Sequence, residues 1–239
     1  MDLLPERWPQ ARTGRLEPPP GPLPAPEAPP RLLLLDRGDP LARAQLTPLG
    51  TLLDPREERR LGQLRRQEDR ERFLLGRGLL RLLLGPWLGR DPAEVVLGEG
   101  PHGKPQLIAP EGPGLAGAPC RPRFNVAHSG DLILLAFHPC REVGVDVEEL
   151  RPVPGWEGIA RRCLPPQVRE AIRALPEQRR HAAFLEAWCR LEAGLKARGL
   201  GLFGAAPDPR EPAPAAPDSG PVVWPVALPE GYVGAAALL

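Results

Sequence analysis

Lysine is almost absent from this 239-residue chain: among 31 Lys and Arg residues, only Lys104 and Lys196 are lysine. A general lean toward arginine, alanine, glycine and proline accounts for the scarcity, so the two positions gain interest only from where they fall. An excess of one charge is also lacking. With 31 cationic residues against 30 carboxylates the formal net charge is +1. Net charge therefore offers no case for a nucleic-acid or membrane partner and confines any charge-based function to a local cluster. The cysteines are few (Cys120, Cys140, Cys163 and Cys189), with no CxxC pair and no histidine at zinc-ligand spacing. A reduced chain is the simplest reading of that pattern. Long apolar runs are missing too. The longest aliphatic stretch near the N-terminus, Leu32 to Leu35, is far too short to span a bilayer, and Asp2, Pro5 and Glu6 stand where a signal peptide needs a cationic end and an apolar core. These absences together point to the cytoplasm.

What is abundant is proline. Residues 1–30 hold ten of them, including Pro18 to Pro20. Proline removes backbone donors and forbids helix interiors, so this segment is expected to be extended or disordered. Folding is expected to begin at Arg31, with RLLLLD (Arg31 to Asp36) as a short buried strand. From Pro55, leucines and Phe73 recur at helical intervals among arginines until Gly85-Pro86 is expected to stop the helix. FNVAHSGDLILLAF (Phe124 to Phe137) reads as strand, turn and strand, and VGVDVE (Val143 to Glu148) as a third strand. Helical text follows Pro154 and ends with HAAFLEAWCRLEAGLKARG at Gly199. After an Ala/Pro loop over 206–221, VVWPVA and YVGAAAL suit a terminal strand pair. The alternation of strands and helices predicts a mixed α and β fold.

Chemistry concentrates in the second part. Asp146 and Glu148 lie two apart on a strand, so both carboxylates share one face while Val145 and Val147 take the other. Paired hard oxygen ligands suit Mg²⁺, especially where a phosphate completes the coordination. On the following long helix, Phe184, Trp188, Leu191 and Leu195 form a predicted apolar stripe, and Glu192 and Lys196 stack one position further round, four residues apart. His128 ends a strand at a Ser-Gly turn, where exposed backbone N–H groups favour a bound anion. Lys104 sits in a Gly-Lys-Pro turn.

The ordered runs GKPQL, FNVAHSGD, VGVDVEEL and FLEAWCRLEAGLKARGLGL span Gly103 to Leu202. In content and order they resemble the motifs of Sfp-type 4′-phosphopantetheinyl transferases, which read approximately GKPxL, FNxSHS, (I/V)G(V/I)D(V/I)E and WxxKExxxKxxGxGL. The resemblance implies an α+β fold made of a pseudo-twofold pair of similar halves, here 31–123 and 124–239, with coenzyme A in the cleft between them. It implies that Asp146, Glu148 and Glu192 hold Mg²⁺ with the coenzyme A diphosphate and that Glu192 also acts as base. Lys196 would neutralise the phosphate and the leaving 3′,5′-ADP; His128 and Lys104 would contact the coenzyme A phosphates, and Arg60 matches a cation near the 3′-phosphate. The partner would be an acyl or peptidyl carrier protein of fatty acid, polyketide or nonribosomal peptide synthesis, and the enzyme a monomer.

Two positions depart from the pattern. Leu191 replaces a lysine before the metal-binding glutamate, and Ala127 replaces a serine before the motif histidine. The alternative they motivate is a catalytically weak scaffold that binds carrier protein or coenzyme A. A metal-dependent nuclease also uses an acid–E-x₃-K set, but it needs a basic groove and leaves FNVAHSGD unexplained.

Overall fold

A computed structural model describes residues 2–8, 23–100, 103–108, 121–200 and 220–239. Its strands are β1 (Glu6–Arg7), β2 (Arg31–Asp36), β3 (Leu97–Glu99), β4 (Pro105–Leu107), β5 (Arg123–Ser129), β6 (Leu132–His138), β7 (Val143–Glu149), β8 (Val222–Pro225) and β9 (Tyr232–Leu238). The helices are α1 (Pro40–Ala44), α2 (Leu46–Gly50), α3 (Pro55–Gln63), α4 (Gln67–Leu88), α5 (Trp156–Cys163), α6 (Pro166–Ala174) and α7 (Glu177–Ala197). The fold is α+β. Its strands form a sheet of order β1-β2-β6-β5, a sheet of order β7-β9-β8 and the hairpin β3-β4.

Strand alternation builds two cores from one sheet. Leu33, Leu35, Ile133, Leu135 and Phe137 point one way and pack with Leu75, Leu79, Leu80 and Leu83 of α4. Leu32, Leu34, Leu134 and Ala136 point the other way and meet Val143, Val145, Val147, Ala236 and Leu238 of the second sheet. That sheet in turn carries α7 on its far side, where Cys189, Ala193 and Ala197 lie on Ala235 and Ala237 of β9. Each sheet thus has one long helix on its outer face and shares its inner face with the other sheet.

The long leucine-rich helical stretch divides in two. Asp54 caps α3 through a capping box with Glu57. The chain then turns extended at Leu64, where the Leu61 carbonyl accepts from the Leu64 N–H at 3.2 Å and from Arg70 at 3.1 Å. Pro86 does not stop α4. It falls in the last turn, and the helix closes only at Gly89 in the left-handed region (φ 63°). The Pro-rich start is ordered where it is described: Glu6–Arg7 pairs in parallel with Leu33–Leu34, Glu6 accepts from Arg31, and Trp8 is buried against the α4 core. Pro18 to Pro20 and most of the 206–221 loop lie outside the described residues. β5 and β6, assigned by sequence to the second half, pair with β2 of the first, so the change of sheet falls between β6 and β7 and not at 123/124. Cys140 is disulfide-bonded, which corrects the expectation of wholly reduced thiols; Cys163 and Cys189 are free.

The buried seam of α7 also differs from the predicted stripe. Phe184 is buried, but Trp188, Leu191 and Leu195 are only partly so, and the innermost line is Leu185, Cys189, Ala193 and Ala197. Small side chains win because the helix comes very close to the sheet. A Cβ on Gly144 of β7 would stand 2.0 Å from the Ala193 carbonyl oxygen and 2.5 Å from the Ala197 nitrogen, both backbone atoms that no rotamer change can move. Gly144→Ala should therefore lower unfolding stability by about 3 kcal/mol, the upper end of overpacking costs, read as a fall in the urea midpoint.

Candidate active site

The contact between α7 and β7 sets the site. Gly144, Asp146 and Glu148 face α7 while Val143, Val145 and Val147 face the inter-sheet core, as the alternation predicts. Lys196, in the last turn of α7, donates to Asp146 Oδ1 at 2.6 Å. Asp146 is buried, and its Oδ2 has no hydrogen-bond partner among the described residues. The Cys189 thiol lies beside this carboxylate, and burial first, then the Asp146 charge, pushes its pKa up. Glu148 accepts from the Ser129 hydroxyl at 3.0 Å and from Arg151 at 3.3 Å. Glu192 is half-buried. Burial raises its pKa, Lys196 pulls it back, and the charges of Asp146 and Glu148 raise it further. The three carboxylates therefore lie within electrostatic reach of one another.

These residues suit a hard divalent cation. A buried carboxylate oxygen left without a partner, with two further carboxylates in electrostatic reach, offers hard oxygen donors beyond those that Lys196 and Arg151 satisfy. Among the described residues no three His, Cys, Asp or Glu side chains stand together so as to hold a metal ion by themselves. Further oxygens would have to come from substrate or water, as is usual for Mg²⁺ bound beside phosphates.

Two cavities lie side by side here, and the second reaches Glu192. One, of about 370 Å³, is lined by Arg60, Arg72, Phe73, Arg77 and His128. The other, of about 260 Å³, is lined by Gly103, Lys104, Asn125, Glu192 and Lys196. Pro105 and Val126 line both, so the two make neighbouring parts of one cleft. Arg60 and His128 thus stand in one part, Glu192 and Lys196 in the other. Lys104 borders the second part, but its ammonium is turned to protein: it donates to Glu142 Oε2 at 2.8 Å, to the Val143 carbonyl at 2.9 Å and to the Lys196 carbonyl at 2.9 Å.

Several supporting residues escaped the sequence reading. Arg72 donates twice to the Gly130 carbonyl, at 2.7 and 3.1 Å, and pairs with Asp69, tying the β5–β6 turn to α4. Arg37 bonds both Glu71, at 2.6 Å, and Asp131 of the same turn. Burial pushes the Glu71 carboxyl up, but the bonds from Arg37 and Gln67 outweigh it and hold the pKa low. Asn125 is buried, and its side-chain oxygen accepts from the Val145 N–H at 2.9 Å, joining β5 to the free edge of β7. The available signal for Asn125 was a polar residue inside an apolar strand; for the arginines, buried among many, there was none. Leu191 packs partly into the cluster of Val153, Trp156 and Phe184, so an apolar side chain fits its place.

A buried acidic strand, a helix carrying a glutamate and a lysine onto it, and a cavity lined by arginines and carboxylates alongside make one densely charged site. The model of the 4′-phosphopantetheinyl transferase superfamily matches residues 142–215, and that of the 4′-phosphopantetheinyl transferase N-terminal region matches residues 40–140. The chain belongs to the 4′-phosphopantetheinyl transferase superfamily. It is 36% identical over 159 residues to the 4′-phosphopantetheinyl transferase HetI of Nostoc sp., covering 66% of this chain and 65% of HetI. It is 34% identical over 167 residues to a phosphopantetheinyl transferase of Thraustochytrium sp., covering 64% of this chain and 54% of that one. The 4′-phosphopantetheinyl transferase AcpT of Escherichia coli K12 is 35% identical over 130 residues, covering 54% and 58%. The matches thus span less than two thirds of these relatives' lengths.

Histidine 128 offers a test of the cleft's charge. Crowding by protein, then the cations of Arg72 and Lys196, depress its pKa below the ordinary value of 6.5. A depressed pKa means that the unfolded chain binds more protons between the lowered value and 6.5, so stability rises with pH through that window and is lost as pH falls. His128→Asn should flatten the dependence of the urea midpoint on pH there; an unchanged slope would show that neither burial nor the neighbouring cations shift the imidazole.

Proposed function

We propose that this chain transfers the 4′-phosphopantetheine group of coenzyme A to a serine of an apo acyl or peptidyl carrier protein, releasing 3′,5′-ADP. The observation that carries the reading is the two-part cleft, in which an arginine- and histidine-lined cavity adjoins the Glu192–Lys196 edge at Pro105 and Val126. Arg60 and His128 suit the anionic nucleotide end, beside which Arg72 is held by the Gly130 carbonyl and Asp69. Lys196, held at Asp146, supplies positive charge next to the diphosphate.

Asp146, Glu148 and Glu192 are the residues that would hold Mg²⁺, which when bound would neutralise charge on the diphosphate and on the departing nucleotide. Glu192, whose pKa burial raises above the ordinary glutamate value, is suited to accept a proton. The serine oxygen forms a bond to the β-phosphorus, the bond from that phosphorus to the leaving 3′,5′-ADP breaks, and the serine proton passes to Glu192. Ser129 and Arg151 hold Glu148 in place, so fewer groups must reorganise as charge moves.

No helix among the described residues is long and apolar enough to cross a membrane. We read the enzyme as a cytoplasmic monomer that acts without nucleic acid or membrane. That location rests on the substrates it would meet there, since Cys140 is disulfide-bonded.

The test is incubation with an apo carrier protein, coenzyme A and Mg²⁺, followed by intact mass of the carrier. A gain of one phosphopantetheine is expected, lost on chelation. Asp146→Ala and Glu192→Gln should each slow transfer by at least about 100-fold. No gain across carriers of fatty acid, polyketide and nonribosomal peptide type would instead support a scaffold that binds carrier or coenzyme A without turnover.

A further inference from the structure

Lys104, expected to contact phosphate, has its ammonium turned wholly to protein. An ammonium has three donors and no acceptor. In Lys104 all three have partners: Glu142 Oε2, the Val143 carbonyl and the Lys196 carbonyl, at 2.8, 2.9 and 2.9 Å. The side chain is largely buried, with 18% of its surface exposed. Its partners come from two distant segments, one at the start of the strand that bears Asp146 and Glu148, the other at the end of the helix that bears Glu192 and Lys196. The contact with the Lys196 carbonyl also sets a cation against the negative end of α7, where it is favourable.

The hairpin that carries Lys104 is itself braced. Gly103 takes a left-handed turn (φ 75°), and Gly100 N–H donates to the Lys104 carbonyl at 2.8 Å. Pro105, the next residue, lines both parts of the cleft. One nitrogen therefore ties the cleft wall to both elements that hold the reacting groups.

We propose that Lys104 is a positioning residue, not a phosphate ligand: it pins the β3–β4 hairpin to the start of β7 and the end of α7, and so sets how Glu192 and Lys196 stand over Asp146. The proposal rests on the transferase reading for its kinetic consequence only; the pin itself is a property of the free protein. Arginine does not replace lysine here, because a planar guanidinium spreads its donors over several nitrogens and cannot converge on three acceptors from one point. That distinguishes the two roles, since arginine is a good phosphate ligand.

Lys104→Met keeps the stem and removes the donors. Expected is a fall in kcat of about tenfold or more, with the KM for coenzyme A changed by less than about twofold, and no rescue by Lys104→Arg, because small displacements of reacting groups act on turnover. Hydrogen exchange of the free Lys104→Met protein should quicken at residues 196–200 and 143–145. Glu142→Gln, which leaves the fold's apolar contacts intact, serves if the first variant does not fold; it should lower kcat in the same direction. A raised coenzyme A KM with kcat kept, rescued by arginine, would overturn the proposal, as would a coenzyme A KM lowered by Glu142→Gln through release of Lys104 toward phosphate. If the wild-type protein transfers nothing, the transferase reading fails and hydrogen exchange alone decides the pin, with unchanged exchange in both variants counting against it.

Discussion

Everything chemical in this protein depends on how closely the backbone of α7 lies on β7. Gly144 leaves no room for even one carbon between them, and the alanines of β9 continue the same low surface. At that distance a lysine on the helix reaches a carboxylate on the strand directly, and a glutamate one turn earlier feels both strand acids. A helix raised by the size of a leucine would separate these groups and return them to water, where their mutual influence falls several-fold. Packing of small residues is therefore what creates the local electrostatics.

β5 shows how one strand serves three regions through simple alternation. Phe124 enters the core under α4, Val126 lines the cleft on the same side, and His128 follows them to its mouth. The intervening residues look toward β7: Asn125 takes the Val145 N–H, Ala127 is buried between the sheets, and Ser129 holds Glu148. The departure at Ala127 thereby has a physical account. Its side chain enters an apolar core among Leu134, Val145 and Val147, where a hydroxyl would need a partner that the neighbouring aliphatic groups do not supply.

Much of this was legible in the sequence, for reasons that separate cleanly. The strands over 31–36, 124–137 and 143–148 and the helix ending near Gly199 were readable because local pattern and tertiary role agree there. The shared face of Asp146 and Glu148 followed from strand geometry alone. The buried line of α7 was misplaced by one position, because hydrophobic size marks Trp188 and Leu191 while close packing selects Cys189, Ala193 and Ala197. The pairing of β2 with β6 was not readable, because adjacency in sequence does not reveal it. Nor does a lysine in a turn announce that its ammonium will be consumed by two distant carbonyls.

The leucines of β2 have a consequence for how the molecule can be taken apart. Leu32 and Leu34 belong to one core, Leu33 and Leu35 to the other, and none of the four is appreciably exposed. A fragment ending after β6 would carry an uncovered greasy face on its central strands, and the remainder would lack the lid over Val143, Val145 and Val147. Neither piece is equipped to remain soluble by itself. Melting one half must strip the other, so the chain is built to come apart in a single cooperative event despite its two sheets and two long helices.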